Sequence, residues 1–162
     1  MRRWSPRGVL SAALNSATYR LDSRKIDVPS DALLSSIFPS VPILRGISFE
    51  GIPNRDSVSY LKEYGLDDDL PSILRGTLRF PGFSRLVDVW KKCGLLDIEV
   101  MDVKLEKWDQ FVDSCLEKVS GKKVLDAKMR REVVVGIVGD VEWVYEALST
   151  LEQSVPSSKP NF

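Results

Sequence analysis

The chain has 162 residues, of which 43% are hydrophobic and 28% charged, so it is long enough for one domain with a buried core. Its 23 basic and 23 acidic residues balance, and the sequence shows none of the excess positive charge that marks a nucleic-acid-binding surface. Histidine is absent, which excludes imidazole metal ligands, Ser-His and Cys-His nucleophile pairs and a histidine acid or base.

The N-terminal segment has two interpretations. Residues 1–24 hold five arginines and one acid, Asp22, among serine, alanine and leucine, a composition typical of a mitochondrial presequence. Alternatively, Ser5 and Pro6 begin a helix of the folded domain, because serine is a good N-cap and proline a good first helical residue. Apolar residues at helical spacing support this second interpretation: Val9, Leu10, Ala13, Leu14 and Ala17.

The rest of the chain predicts a mixed α+β fold. Apolar patterns between turn residues predict strands over residues 25–28, 47–52, 72–80 and 98–103. Periodicity and capping residues predict helices over residues 30–38, 56–64, 83–93, 107–119, 126–138 and 141–151. Residues 133–138 are equally compatible with a buried strand. We expect one domain over residues 1–153 and a disordered, Pro/Ser/Lys-rich tail over residues 154–162.

Two of these elements have distinct faces. In the strand 47–52, Ile47 and Phe49 lie on one face and Glu50 on the other. The helix 83–93 ends at Gly94 and turns four large residues inward: Phe83, Leu86, Val87 and Trp90.

The two cysteines, Cys93 and Cys115, lie on separate predicted helices without a CxxC spacing. We interpret them as reduced core thiols of a cytoplasmic protein and expect no metal site. The acidic run Asp67–Asp69 lacks the spacing of a calcium loop, and we interpret it as a solvated loop.

The most informative features are two short segments, Pro53–Ser57 and Leu74–Phe80, both rich in arginine and polar residues. Residues two apart in a strand share a face, so Arg75, Thr77 and Arg79 point one way and the residues between them point the other way. Two guanidinium groups beside a hydroxyl favour a ligand with several carboxylates, because arginine binds carboxylates through paired charge-assisted hydrogen bonds.

Arg55 extends this pattern, because it precedes a predicted helix N-terminus, where backbone N–H groups and the helix dipole favour anions. The competing interpretation pairs the arginines with nearby acids, namely Asp56, Glu63 and Asp67–Asp69. From composition alone, such solvated or paired charges are the commoner arrangement.

Several segments, in order and in register over residues 4–97, resemble the saccharopine dehydrogenase family, in its glutamate-forming saccharopine reductase branch. They are Trp4–Leu10, Asn15–Tyr19, Pro53–Ser57, Tyr64–Gly65, Leu74–Phe80, Gly82–Phe83 and Cys93–Leu96. Several motifs in the same order and spacing identify a family much more specifically than any one motif alone. Because the resemblance begins at Trp4, it favours the helical interpretation of the N-terminus.

The resemblance implies the substrate-binding domain of that family: a mixed sheet flanked by helices, without the Rossmann domain that binds NADP or NAD. The family interconverts saccharopine, which carries three carboxylates, with glutamate and aminoadipic semialdehyde in lysine metabolism. The resemblance implies that Arg55, Thr77, Leu78 and Arg79 bind substrate. It places Trp4 and Ser5 near the junction of cofactor and substrate, although from the residues alone Trp4 either packs over a ligand or staples the first helix. The resemblance does not identify a catalytic residue in this chain.

The sequence also departs from the family pattern. Arg3 stands where the family usually has a small residue, and no Rossmann segment precedes Met1, so we expect no nucleotide to bind this chain alone. The closing strands of the family's domain have no counterpart after about Val155, and an incomplete sheet leaves an edge that favours self-association.

Three hypotheses follow. The chain is the substrate-binding part of such an oxidoreductase, inactive alone, which forms a homodimer or associates with a Rossmann-containing chain. Alternatively, it is a non-catalytic binding or assembly module derived from the family. The third hypothesis, a fragment that does not fold stably, stays open.

Overall fold

The computed structural model describes residues 6–43, 45–97, 107–139 and 142–145. The α+β class is confirmed, with these elements in chain order: α1 Pro6–Ala12, β1 Ala17–Leu21, β2 Arg24–Val28, β3 Glu50–Pro53, β4 Arg55–Asp56, α2 Tyr60–Glu63, β5 Gly76–Arg79, α3 Phe83–Lys92, α4 Trp108–Ser120 and α5 Ala127–Val138. The chain divides into two compact units, Met1–Asp88 and Val89–Phe162, and the boundary falls within α3. No helix in the described ranges is long and apolar enough to cross a membrane.

A mixed three-stranded sheet in the first unit has the order β2-β1-β4. β1 pairs antiparallel with β2 and parallel with β4. The hairpin between β1 and β2 turns at Asp22 and Ser23, whose φ angles are 48° and 63°, as a two-residue turn of the primed type requires. The turn is anchored because the Ser23 N–H donates to the Pro71 carbonyl at 2.7 Å. The predicted strand 25–28 is thus confirmed as part of β2.

The first helix ends at Ala12, so the prediction that the helical face continues to Ala17 is wrong. The Asn15 side-chain amide donates to the carbonyls of Ser11 and Ala12 at 3.2 and 3.4 Å. These bonds satisfy carbonyls that a helix leaves unpaired at its C-terminus. Ala17 then begins β1, where it is buried against the sheet partner Val28.

The predicted helix over residues 30–38 is also wrong, because residues 30–35 form consecutive turns. The Ser35 side chain donates to the Ala32 carbonyl at 2.9 Å and so competes with regular helical hydrogen bonds. Leu33 and Leu34 are nevertheless buried, at 1% and 4% exposure, and contribute to the core of this unit.

A second, two-stranded sheet pairs β3 with β5 in antiparallel register, from Glu50 opposite Arg79 to Pro53 opposite Gly76. Both strands are shorter than the predicted strands 47–52 and 72–80. α2 is likewise a four-residue helix rather than the predicted helix 56–64, because Arg55 and Asp56 pair with β1 instead.

The second unit is helical in its described part. The predicted helices 107–119 and 126–138 are confirmed as α4 and α5, which excludes a strand over residues 133–138. The Asp126 side chain caps α5 by accepting from the Met129 N–H at 2.8 Å. Arg130 of α5 forms two hydrogen bonds with the Asp113 carboxylate of α4, at 2.6 and 2.8 Å.

The core of this unit is a cluster of buried apolar residues: Val89, Cys93, Val112, Leu116, Val124, Val133, Val134 and Val144. The predicted helix 83–93 is confirmed as α3, and Gly94 follows it at a φ of 77°. Residues 142–145 are helical, whereas the rest of the predicted helix 141–151, the predicted strand 98–103 and the predicted tail 154–162 lie outside the described residues.

The two buried thiols give a pH prediction. Cys93 is 0% and Cys115 is 4% exposed, and burial raises the pKa of each thiol to about 11. Because the folded pKa exceeds the unfolded pKa of about 8.5, the resulting stabilisation is complete below the unfolded pKa and is lost as the pH rises through about 11.

We therefore expect the unfolding free energy to fall between about pH 9 and 11, and to fall less in a Cys93→Ala/Cys115→Ala variant. Urea titrations of both proteins across this range measure the difference. We also expect both thiols to react slowly with a disulfide reagent at pH 8 until urea unfolds the chain. Parallel pH profiles for the two proteins would contradict this assignment.

Candidate functional site

The two arginine-containing segments are joined to each other directly. The Asn54 N–H donates to the Arg75 carbonyl at 3.0 Å, and the Arg75 N–H donates to the Ser57 hydroxyl oxygen at 2.9 Å. Ser57 is 1% exposed, and its own N–H donates to the Thr18 carbonyl of β1 at 2.7 Å. Segments about twenty residues apart in sequence thus form one local structure.

Gly76 permits this close pairing of β3 with β5. A Cβ atom at position 76 would lie 2.8 Å from the Ile52 carbonyl oxygen, closer than real contacts allow. The glycine in the second segment is therefore required by the approach of a neighbouring backbone.

We expect Gly76→Ala to lower the unfolding free energy by about 1–3 kcal/mol, because the strands must separate to admit the methyl group. Gly136→Ala is the matched control, since nothing lies within 4 Å of a Cβ there and the position is within α5. The control should be neutral or stabilising by up to about 1 kcal/mol, because alanine favours the helix over glycine. Chemical denaturation measures both changes, and equal stabilities of the two variants would contradict the close approach.

The residues of β5 and its flanks alternate as the sequence predicts. Arg75, Thr77 and Arg79 are half-buried on one face. Leu74, Leu78 and Phe80 are exposed, at 42%, 40% and 71%. Of the four predicted substrate-binding residues, Thr77 and Arg79 therefore share a face, and Leu78 lies on the opposite one.

Thr77 and Arg79 lie in a shallow depression that we call the arginine groove. It is lined by Asn54, Thr77, Arg79 and Phe83, with Val9 and Ala12 of α1 and the following Ala13 among its apolar residues. The guanidinium carbon of Arg79 lies 5.1 Å from the centre of the Phe83 ring, and its Nη1 donates to the Leu78 carbonyl at 3.2 Å. The enclosed volume is about 20 Å³, so a larger ligand would lie across the groove rather than inside it.

Arg75 has a different environment from Arg79. Its guanidinium carbon lies 3.6 Å from the centre of the Tyr60 ring, a stacked cation–π arrangement. Tyr60 in turn contacts Tyr64, with ring centres 5.2 Å apart. Arg75 is therefore held by an aromatic ring of α2, and Arg79 is the arginine of this strand face that lines the groove.

Arg55 is exposed and has a φ of 54°, in the left-handed region that residues other than glycine seldom adopt. It follows Asn54, whose N–H donates to the Arg75 carbonyl, so Arg55 and Arg79 are separated by about five strand residues, or roughly 17 Å. The predicted anion-binding helix N-terminus beside Arg55 is wrong. Asp56 itself accepts hydrogen bonds from the N–H groups of Val58 and Ser59, at 2.8 and 3.3 Å.

Among the described residues, no nearby acid pairs with Arg55 or Arg79, although the exposed side chain of Arg55 also fits the competing interpretation of a solvated charge. Ion pairs in the described part of the chain include Lys25–Asp27, Lys118–Asp97 and Arg130–Asp113. Neither Arg55 nor Arg79 forms an ion pair with a described residue. Both guanidinium groups therefore retain their capacity to bind carboxylates.

The opposite face of the second sheet carries a larger apolar groove of about 350 Å³. Its lining includes Phe38, Val41, Pro42, Leu74 and Leu78. It offers shape and hydrophobic contact but no charged side chain.

The predicted cofactor-binding residues Trp4 and Ser5 lie outside the described residues. In the described part of the chain, the turn from β5 to α3 carries one glycine, Gly82, and the N–H groups of Gly82 and Ser84 donate to the Glu50 carboxylate. A dinucleotide pyrophosphate needs a glycine-rich turn and free N–H groups at a helix N-terminus, so these elements do not fit one. Among the described residues, no group of Cys, Asp and Glu side chains could hold a metal ion.

The fold and the site thus define an α+β domain in which neither Arg55 nor Arg79 forms an ion pair with a described residue. A family model for the saccharopine dehydrogenase C-terminal domain matches residues 2–155. The chain therefore belongs to the saccharopine dehydrogenase family and corresponds to its C-terminal domain.

Individual relatives agree with this assignment. The mitochondrial alpha-aminoadipic semialdehyde synthase of Mus musculus is 37% identical over 97 residues, which are 59% of this chain and 10% of that protein. The NADP(+), L-glutamate-forming saccharopine dehydrogenase of Saccharomyces cerevisiae is 33% identical over 122 residues, which are 74% of this chain and 27% of that protein.

A solved structure of the apo, L-Glu-forming saccharopine dehydrogenase from Saccharomyces cerevisiae matches with a TM-score of 0.67 at 28% identity. The match covers 91% of this chain and 33% of that chain. The chain thus spans about a tenth to a third of these relatives.

Proposed function

We propose that this chain is the substrate-binding part of a saccharopine dehydrogenase-like oxidoreductase of lysine metabolism. It binds saccharopine and does not oxidise it without a nucleotide-binding domain. The main support for this proposal is that two arginines, Arg55 and Arg79, form no ion pair with a described residue. The chain also belongs to this family. Hydride transfer is the chemistry of the nicotinamide, which a protein must bind and orient.

Within this proposal, Arg79 binds one carboxylate of saccharopine through paired hydrogen bonds and Arg55 binds another. Their separation of roughly 17 Å suits an extended ligand, because both side chains are long enough to turn towards it. Thr77 donates its hydroxyl to the ligand on the same face as Arg79, and Leu78 contributes contact from the adjoining position of β5. The shallow groove leaves the remainder of the ligand to be covered by another domain.

The nucleotide belongs to that other domain. The Saccharomyces cerevisiae relative is named as an NADP(+) enzyme, and the turn from β5 to α3 in this chain does not fit a dinucleotide pyrophosphate. The resemblance to the family implies that Trp4 and Ser5 lie near the junction of cofactor and substrate. They precede α1, whose Val9 and Ala12 line the arginine groove.

Titration calorimetry of the purified chain with saccharopine, and separately with NADP(+) and NAD(+), tests this function. The expected result is binding of saccharopine, no binding of either nucleotide, and no NADPH or NADH formed when saccharopine and nucleotide are mixed. Absence of saccharopine binding at millimolar concentration would overturn the proposal.

A second candidate function is a non-catalytic assembly module. The observation that favours it is the exposed apolar face of β5, formed by Leu74, Leu78 and Phe80 beside the apolar groove. Association there would bring together two copies of this chain, or this chain and a Rossmann-containing chain. Sedimentation of the wild type and of Phe80→Asp distinguishes these cases: a dimer lost in the variant supports self-association, and a wild-type monomer excludes it.

We assign the chain to the cytoplasm, although the relatives include mitochondrial proteins. The N-terminal region that resembles a presequence contributes Val9 and Ala13 to the arginine groove, which supports a structural role. A reporter fused to the C-terminus tests this. Import into mitochondria with cleavage before α1 would overturn it.

A further inference from the structure

Glu50 is a buried acid outside the predicted site. It is 3% exposed, although a carboxylate is costly to bury unless its oxygens are hydrogen-bonded. Its Oε2 accepts from the Gly82 N–H at 3.1 Å, and its Oε1 accepts from the Ser84 N–H at 2.6 Å. Both oxygens are thus occupied by backbone groups at the start of α3.

These two hydrogen bonds lie next to Arg79 and to the Phe83 ring beneath it. Glu50 lies directly opposite Arg79 in the β3–β5 ladder. Gly82 and Ser84 flank Phe83, whose ring lies under the Arg79 guanidinium. The connection between Arg79 and Phe83 is three residues long and turns at Gly82 with a φ of 95°. The Glu50 carboxylate therefore ties β3 to the start of the helix that carries this ring.

The same carboxylate determines which donors remain for a ligand. The N–H groups at the start of a helix are a favourable site for a carboxylate, but here the N–H groups of Gly82 and Ser84 already donate to Glu50, and the Phe83 N–H donates to the Phe80 carbonyl at 3.2 Å. An incoming carboxylate would then bind the Arg79 guanidinium rather than these three backbone donors. Glu50 forms no ion pair with Arg79 in the described structure, so it does not compete for that guanidinium.

We propose that Glu50 is a positioning residue that fixes Arg79 for carboxylate binding by holding Phe83 beneath it. This inference rests on the proposed function. Glu50 does not touch the ligand and acts through the Phe83–Arg79 pair. Glutamine at position 50 keeps the size of the side chain but turns an NH₂ group, a donor, towards one of the two N–H donors.

A double-mutant cycle on saccharopine affinity tests this role. We expect Glu50→Gln to weaken binding about tenfold, the scale of one lost hydrogen bond to a charged group. In an Arg79→Ala background, Glu50→Gln should have no further effect on affinity, because the guanidinium that Glu50 positions is already absent. Leu33→Ala is the control, since it creates a cavity in the core of the same unit but should leave the affinity unchanged.

A second readout requires no ligand. The Phe83 ring shifts the NMR signals of the Arg79 side chain, which are assigned by their loss in Arg79→Ala. We expect Glu50→Gln and Phe83→Leu to move these signals to similar positions, and Leu33→Ala to leave them in place. If Glu50→Gln does not melt cooperatively, Glu50→Asp replaces it, since it keeps the charge but shortens the reach to the two N–H groups.

The outcomes separate the two proposals. If the wild type does not bind saccharopine, the proposed function fails, and the Arg79 signals alone decide the role of Glu50. Unmoved signals in Glu50→Gln would overturn the positioning role. Where saccharopine does bind, a tenfold loss that persists in the Arg79→Ala background would also overturn it, because a general structural role acts additively.

Discussion

Arg79→Ala is expected to weaken saccharopine binding by about 10- to 100-fold, because a charge-assisted hydrogen bond contributes about 1.5–3 kcal/mol. Arg79 lies over Phe83 in the arginine groove and forms no ion pair with a described residue. Its removal therefore costs a ligand contact rather than an internal salt bridge. Titration calorimetry measures the change. Arg24→Ala removes an exposed arginine of β2 and is the matched control.

Arg55→Ala should weaken binding on the same scale, and the double variant should show the sum of the two free-energy changes. Sites more than about 10 Å apart usually act additively, and Arg55 and Arg79 are separated by roughly 17 Å. An unchanged affinity in Arg79→Ala, or equal losses in Arg79→Ala and Arg24→Ala, would show that the groove does not bind the carboxylates.

Leu116→Ala is expected to lower the unfolding free energy of the second unit by about 2–5 kcal/mol, the range for removing a buried leucine side chain. Leu116 is 0% exposed and belongs to the cluster formed by α3, α4 and α5. We expect saccharopine affinity to persist in this variant while it remains folded, because the described residues that line the arginine groove all lie within Met1–Asp88.

Val119→Ala in the same helix is the control for this substitution. Because Val119 is 45% exposed, its truncation should lower the unfolding free energy much less. Urea denaturation followed by tryptophan fluorescence reports on the second unit through Trp108 and Trp143, which both lie in it. Equal costs for Leu116→Ala and Val119→Ala would contradict the assignment of this core.

The three long helices, α3, α4 and α5, were the most predictable part of the fold. They have clear end signals, such as Asp126 before α5 and Gly94 after α3, although periodicity alone left residues 133–138 of α5 compatible with a strand. The short elements were less predictable because tertiary partners decide them. The β1–β2 hairpin turns at Asp22–Ser23, without the glycine or asparagine that usually marks such a turn. α1 stops early because Asn15 caps it.

The strand face of Arg75, Thr77 and Arg79 could be predicted from alternation alone, and the structure has it. The distinct environments of the two arginines could not, because the stacking of Arg75 on Tyr60 depends on the position of α2. The burial of Glu50 could not be predicted either, because an acid on an alternating strand normally indicates the solvent-facing side. The N–H groups that compensate for its burial belong to residues more than thirty positions later.

The most direct test of the site is an NMR titration of the isotopically labelled chain with saccharopine. We expect chemical-shift changes that are largest at Arg55, Thr77 and Arg79, with smaller changes at Phe83 and Leu78, and that saturate at one ligand per chain. Shifts that are largest at the apolar groove residues Phe38 and Val41, or no saturable shift at all, would contradict carboxylate binding at the arginine groove.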